Sequence, residues 1–103
     1  MVIREYIMED GSVPFKRWFD NLDHQAAAKV SAALARMETG HTSNIKRFSG
    51  LGEYRIDWGP GYRIYFLKDG DNLIVLLGGG TKKRQQQDIA KAKTLLKEYK
   101  SRS

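Results

Sequence analysis

Strand periodicity gathers two arginines and a tyrosine. Glu53 to Trp58 alternates apolar and polar side chains, Gly59-Pro60-Gly61 reads as a turn, and Tyr62 to Leu67 reads as the next strand. With a three-residue loop, Trp58 falls opposite Tyr62, Asp57 opposite Arg63, Ile56 opposite Ile64 and Arg55 opposite Tyr65. One face of this hairpin then carries Tyr54, Ile56, Trp58, Tyr62, Ile64 and Phe66 and belongs to the core. The other carries Glu53, Arg55, Asp57, Arg63, Tyr65 and Leu67. Arginine clamps phosphate because its guanidinium is planar, always charged and forked. Tyrosine stacks on bases or hydrogen-bonds phosphate and ribose. Arg55, Arg63 and Tyr65 therefore suit single-stranded RNA. The same residues also fit a cross-strand ion-pair network on a solvated sheet, Asp57 with Arg63 and Glu53 with Arg55.

Charge distribution bears on that choice. Residues 82–103 hold eight basic and two acidic side chains, which is the whole net excess of +6. A neutral body with a basic C-terminal segment implies a polyanion or an acidic partner, or else a solubilising helix. Lys82, Lys83 and Arg84 follow Gly78-Gly79-Gly80 after the most apolar strand, where backbone and cations together can meet a phosphate. Lys46 and Arg47, on a short segment 45–48, extend the candidate RNA contacts.

Other chemistries fit poorly. Without cysteine there is no disulfide, thiolate nucleophile or sulfur-bound zinc. Gly80-Thr81-Lys82-Lys83 lacks the spacing of a nucleotide-binding loop. The two histidines, His24 and His41, fall at the start of a helix and in a loop, an arrangement that does not set a pair at one phosphate. Asp20, Asp23, Asp69 and Asp71 sit at turns and caps, where aspartate serves the backbone, so no metal site or cofactor is expected.

A chain of 103 residues makes one domain, 1–103. Its longest apolar run, Leu73 to Leu77, is far short of the ~20 residues of a membrane span, and a soluble cytoplasmic protein is expected. Residues 2–8 read as a strand. Ser12 is placed to cap a helix with Pro14 in its first turn and Phe15, Trp18, Phe19 and Leu22 on one face. Asn21 and Asp23 end it and cap a second helix, His24 to Thr39, with a stripe of Ala27, Val30, Leu34 and Met37 and a stop at Gly40. Strands at 45–48, 53–58, 62–67 and 73–77 follow, then the triple glycine and a helix from about Thr81 or Lys82 with Ile89, Ala92 or Lys93, Leu96 and Tyr99 inward. The fold class is α+β: an N-terminal strand, an αα hairpin, an antiparallel sheet of three to four strands and a C-terminal helix. Helices on one sheet face would leave the other partly free for a ligand.

Several blocks carry a resemblance: Phe15 to Leu22, the helix Ala26 to Met37, Glu53-Tyr54-Arg55-Ile56-Asp57-Trp58-Gly59-Pro60-Gly61-Tyr62-Arg63-Ile64-Tyr65-Phe66, Leu76 to Lys83, and Gln86 to Ala92. Together they resemble the addiction-module killer proteins, also called phage-derived killer proteins, the HigB-like branch of the RelE/ParE toxin superfamily. The resemblance spans nearly the whole chain. It implies a small curved sheet flanked by helices and a type II toxin that cuts messenger RNA on the ribosome. It also implies a cognate helix-turn-helix antitoxin as partner, through which the complex binds operator DNA. It further implies that Arg63 holds the scissile phosphate, with Arg55 and Lys82 or Lys83 near other basic positions of the site. The C-terminal tyrosine that RelE uses has no counterpart, because Gln85 to Ile89 supplies Asp88 instead. Metal-free cleavage needs an aligned 2′-OH, a base, cations on the phosphorane and a neutralised leaving oxygen. Arg63 and Arg55 are assigned charge stabilisation, Lys82 or Lys83 the phosphate or leaving group, Asp57 or Asp88 the base, and Tyr65, Lys83, Arg84, Lys46 and Arg47 RNA contacts. Two rivals share the fold: a ParE-like inhibitor of DNA gyrase that cuts nothing, and a degraded toxin that survives as its antitoxin's partner.

Overall fold

In a computed structural model, which describes residues 1–41 and 43–102, the chain is an α+β fold. β1 (Val2–Glu5) is followed by α1 (Pro14–Asp20) and α2 (His24–Glu38), then by β2 (Ile45–Phe48), β3 (Leu51–Ile56), β4 (Tyr62–Asp69) and β5 (Leu73–Thr81). A 3₁₀ turn, Lys82–Arg84, leads into α3 (Gln85–Arg102). The sheet order is β1-β5-β4-β3-β2. Strands β2 to β5 pair antiparallel, as expected, and the segment 45–48 is a strand. β1 joins as a fifth strand, parallel to β5.

The local chemistry explains the helices. Pro14 occupies the first turn of α1, but Val13 is its N-cap and no side chain caps it. Ser12, expected in that role, instead gives its hydroxyl to Asp10 Oδ1 at 2.6 Å. Asp23 does cap α2, accepting from the Ala26 N–H at 2.8 Å. The buried line of α2 is Ala26, Val30, Ala33 and Met37, turned slightly from the expected stripe, with Leu34 at its margin.

The sheet is covered on both faces, which corrects the expectation of one free face. Phe15 of α1 and Val30, Ala33 and Met37 of α2 pack on Tyr54, Ile64, Phe66, Ile74 and Leu76. Ala92, Leu95 and Leu96 of α3 pack on the opposite face against Leu51, Tyr65, Leu67, Val75 and Leu77. Lysines interrupt the apolar stripe of α3, yet burying its two leucines stabilises the docked helix by about 1.5–3 kcal/mol each. Tyr99 Oη donates to Asp69 at 2.6 Å and Arg102 to the Ile7 carbonyl at 2.9 Å, which fixes the far end.

β5 runs to Thr81, so the three glycines lie inside a strand and not in a loop after it. A bulge places Leu77 between the pairs Phe66–Leu76 and Tyr65–Gly78. Beyond it, Gly79 pairs with Ile64 on the α1–α2 side and Gly80 with Arg63 on the α3 side. Among the described residues, no helix is long and apolar enough to cross a membrane.

Candidate functional site

The β3–β4 connection spans residues 57–61, five residues where three were expected. Gly59 and Gly61 adopt positive φ of 56° and 76°, and the Gly61 N–H donates to the Trp58 carbonyl at 3.0 Å. The longer turn slides the register. Arg55 lies opposite Arg63, Glu53 opposite Tyr65 and Tyr54 opposite Ile64. A slide of this size preserves which side chains share a face, so Glu53, Arg55, Arg63 and Tyr65 stay together while their partners change.

This overturns the expected partner of Arg63. Asp57 is exposed in the turn and borders a hollow with Lys29 and Arg36 of α2. The carboxylate nearest Arg63 is that of Glu53, with Oε2 3.9 Å from Nε. Glu53 is fully buried and accepts a 2.8 Å hydrogen bond from Gln85 Nε2 at the start of α3. Arg63 is 5% exposed, and its Nε and Nη1 have no hydrogen-bond partner. Two guanidiniums directly across a strand pair repel, and one buried carboxylate offsets that only in part. The site keeps surplus positive charge and unspent donors.

Lys82 completes the cationic end. Its N–H donates to the Gly61 carbonyl at 2.8 Å, and a Cβ built on Gly61 would lie 3.3 Å from Lys82 Cβ and 3.6 Å from Arg63 Nη1. Lys82 and Arg63 thus flank the same glycine, while Arg55 is exposed beside them on β3. Lys46 and Arg47 alternate: Lys46 pairs with Glu53 on the α3 face, whereas Arg47 pairs with Gly52 and faces the other way. Lys83 is exposed in the 3₁₀ turn, and Arg84 borders a cleft beside α3.

Tyr65 is 1% exposed beneath α3, so its ring is not available to stack on a base in this arrangement. Its hydroxyl lies by Glu53 without a well-formed hydrogen bond, and burial, reinforced by that carboxylate, pushes the phenol's pKa up. Asp88, on the first turns of α3, lies over Gly80, with Cγ 2.7 Å from where a Cβ there would stand. Its Oδ2 is buried and unpartnered. Burial raises its carboxyl above the ordinary value, and Arg84 and Lys91 pull it back in part. A carboxyl raised on folding contributes stability that is complete below its unfolded value and is lost as pH rises through the folded one. The melting temperature should therefore fall across that window in the wild type, and Asp88→Asn should flatten this part of the profile. An unchanged slope in the variant would show that Asp88 is not the titrating group.

The residues not foreseen here are Glu53 as the partner of Arg63, and Gln85 as its anchor. Glu53 was visible as a carboxylate on the correct face, and only the length of the turn hid its neighbour. His24 and His41 are both exposed, His41 Nδ1 lying 2.8 Å from Thr39 Oγ1. Among the described residues, no three His, Cys, Asp or Glu side chains gather as a metal would require.

Comparison with known proteins covers most of this framework. A protein of Haemophilus influenzae (strain ATCC 51907 / DSM 11121 / KW20 / Rd), whose name assigns it no function, is 38% identical over 89 residues, 84% of this chain and 90% of its own length. The model of the family described as phage-derived protein Gp49-like (DUF891) matches residues 17–100, from within α1 through β3 and β4 to the last turn of α3. The chain belongs to the Gp49-like phage-derived protein family.

Proposed function

We propose that this chain is the toxin of a toxin–antitoxin pair and cuts translated messenger RNA without a metal, as a HigB-like member of the RelE/ParE superfamily. The observation that carries the reading is Arg63: a cation with unpartnered Nε and Nη1, set between exposed Arg55 and Lys82 with one carboxylate for company. Guanidinium donors held in a poorly hydrated site stabilise a pentavalent phosphorane far better than donors in water. Arg63 and Arg55 would bind the phosphate oxygens and Lys82 the leaving oxygen. Asp88 is assigned the base, because a carboxyl raised by burial suits proton transfer better than an ordinary one does. Arg63 is almost fully buried, and Gln85 at the start of α3 bonds the Glu53 carboxylate beside it, so the reading requires the start of α3 to shift when RNA binds on the ribosome. A cognate helix-turn-helix antitoxin would hold the toxin silent and carry the pair to operator DNA, and the site of action would be the bacterial cytoplasm.

The burial of Arg63 and Tyr65 favours a second reading, a ParE-like inhibitor of gyrase that acts by binding alone. One experiment separates them. The 5′ ends of messenger RNA are mapped within minutes of inducing the chain without antitoxin. New cuts in register with codons are expected. Growth arrest with intact messenger RNA and DNA-damage signalling would replace the nuclease reading with the gyrase one. Healthy cells with intact messenger RNA would mark a degraded toxin.

A further inference from the structure

β5 loses its outer neighbour halfway along. β1 pairs with it only from Leu73 to Leu76, and the last bond between them runs from the Tyr6 N–H to the Leu76 carbonyl at 2.9 Å. The chain then turns away, and no described strand pairs with the outer side of residues 78–81. Backbone polar groups on a strand point to alternate sides. The Lys82 N–H points to β4, where it meets Gly61, so Gly80 and Gly78 also face β4. Gly79 and Thr81 then turn their N–H and C=O outward.

This edge is not open to any passing sheet. It forms the floor of a cleft of about 580 Å³ with walls from α1 (Arg17, Trp18) and α3 (Asp88, Lys91). The slot lies where β1 would continue if it did not leave the sheet, and it offers about 13 Å of edge, three or four residues of extended chain. Charge gives the occupant. Arg17, Arg84 and Lys91 border the cleft, against Asp10 and Asp88. Asp10 is already engaged by the Ser12 N–H and hydroxyl at 2.9 and 2.6 Å, and Asp88 is turned down onto Gly80. Three cations against two carboxylates leave the cleft net positive, and Arg17, Arg84 and Lys91 are all exposed.

We propose that the outer edge of β5 at Gly79 and Thr81 receives an extended acidic segment of a partner protein, which adds to the sheet as a short strand and sets its carboxylates against Arg17, Arg84 and Lys91. Alternating outward donors and acceptors match a peptide backbone, whereas a phosphodiester has no donors to give. The slot borders the nuclease site through Arg84 and Asp88, but the β5 edge and the two cations varied below, Arg17 and Lys91, have no part in the cleavage reading.

The test uses the full chain and a fluorescein-labelled peptide of about eight residues that alternates glutamate and valine, with a lysine–valine peptide as control. Amide exchange is followed by NMR. In the chain alone, Gly79 and Thr81 should exchange fast and Gly80 slowly. The acidic peptide should bind, slow Gly79 and Thr81, and weaken about three- to fivefold with each of Arg17→Glu and Lys91→Glu, both exposed positions. No binding, binding that leaves those two amides fast, or equal affinity for the lysine peptide would overturn the proposal. Protection of the same amides by a short oligouridylate but not by the acidic peptide would reassign the slot to nucleic acid.

Discussion

Arg63→Ala is expected to lower messenger-RNA cleavage by about a hundred- to a thousandfold at equal expression, the loss seen when a preorganised donor to a developing oxyanion is removed. The readout is the yield of new 5′ ends after induction. The variant has a structural cost that must be separated from the chemical one. Arg63 is the cation nearest a fully buried Glu53, and removing one member of a buried pair costs about 3 kcal/mol or more. The 3.9 Å separation and the surviving bond from Gln85 place the cost at the low end of that range. Arg63→Ala/Glu53→Gln removes the stranded charge. The double variant should regain most of the lost melting temperature and none of the cleavage. If cleavage returned with stability, Arg63 would be a framework residue and the nuclease reading would lose its centre. Arg55→Ala, at an exposed position, should cost less in rate and almost nothing in stability.

The order of elements was legible because each announces itself locally: Asp23 by its cap on α2, Gly40 by the stop that its positive φ of 85° supplies, and β3 and β4 by the Gly59-Pro60-Gly61 turn between them. What the sequence hid was set by tertiary contacts. Gly59-Pro60-Gly61 marks a turn, but nothing local tells a three-residue loop from a five-residue one, so Asp57 was placed opposite Arg63 when Arg55 lies there. The alternation fixes faces and leaves register free by steps of two, which is why the grouping of Glu53, Arg55, Arg63 and Tyr65 survived and their pairing did not. Lysines interrupt the apolar stripe of α3, and its burial of Ala92, Leu95 and Leu96 depends on a second apolar sheet face made by Leu51, Leu67, Val75 and Leu77. Those residues were readable as strand but not as one surface. The triple glycine shows the same limit most sharply. Three glycines end a strand by propensity, but here they continue one, with Trp18 on Gly79 from one face and Asp88 on Gly80 from the other too close for a side chain.

That close approach makes Gly79 a position where a single added methyl group should harm the fold. A Cβ at Gly79 would stand inside the indole of Trp18, meeting Cδ2, Cε3 and Cζ3 at once. The ring cannot retreat cheaply: it is tilted against Phe15 at 5.7 Å between centroids and edge-on to Tyr62 at 6.3 Å, so moving it disturbs α1 and the start of β4 together. Gly79→Ala is expected to destabilise by about 1–3 kcal/mol, as overpacking does, and to lower the melting temperature by about 4–8 °C per kcal/mol in a domain of this size. Gly78 supplies the contrast one residue away. It shares the same strand and the same backbone propensity, but a Cβ there meets nothing within 4 Å. Gly78→Ala should be neutral or stabilise by up to about 1 kcal/mol through the unfolded chain. Equal losses at both positions would mean that glycine is required for strand flexibility. A loss confined to Gly79, relieved by Trp18→Leu in the same chain, would establish that the glycine exists to let α1 lie against the free end of β5.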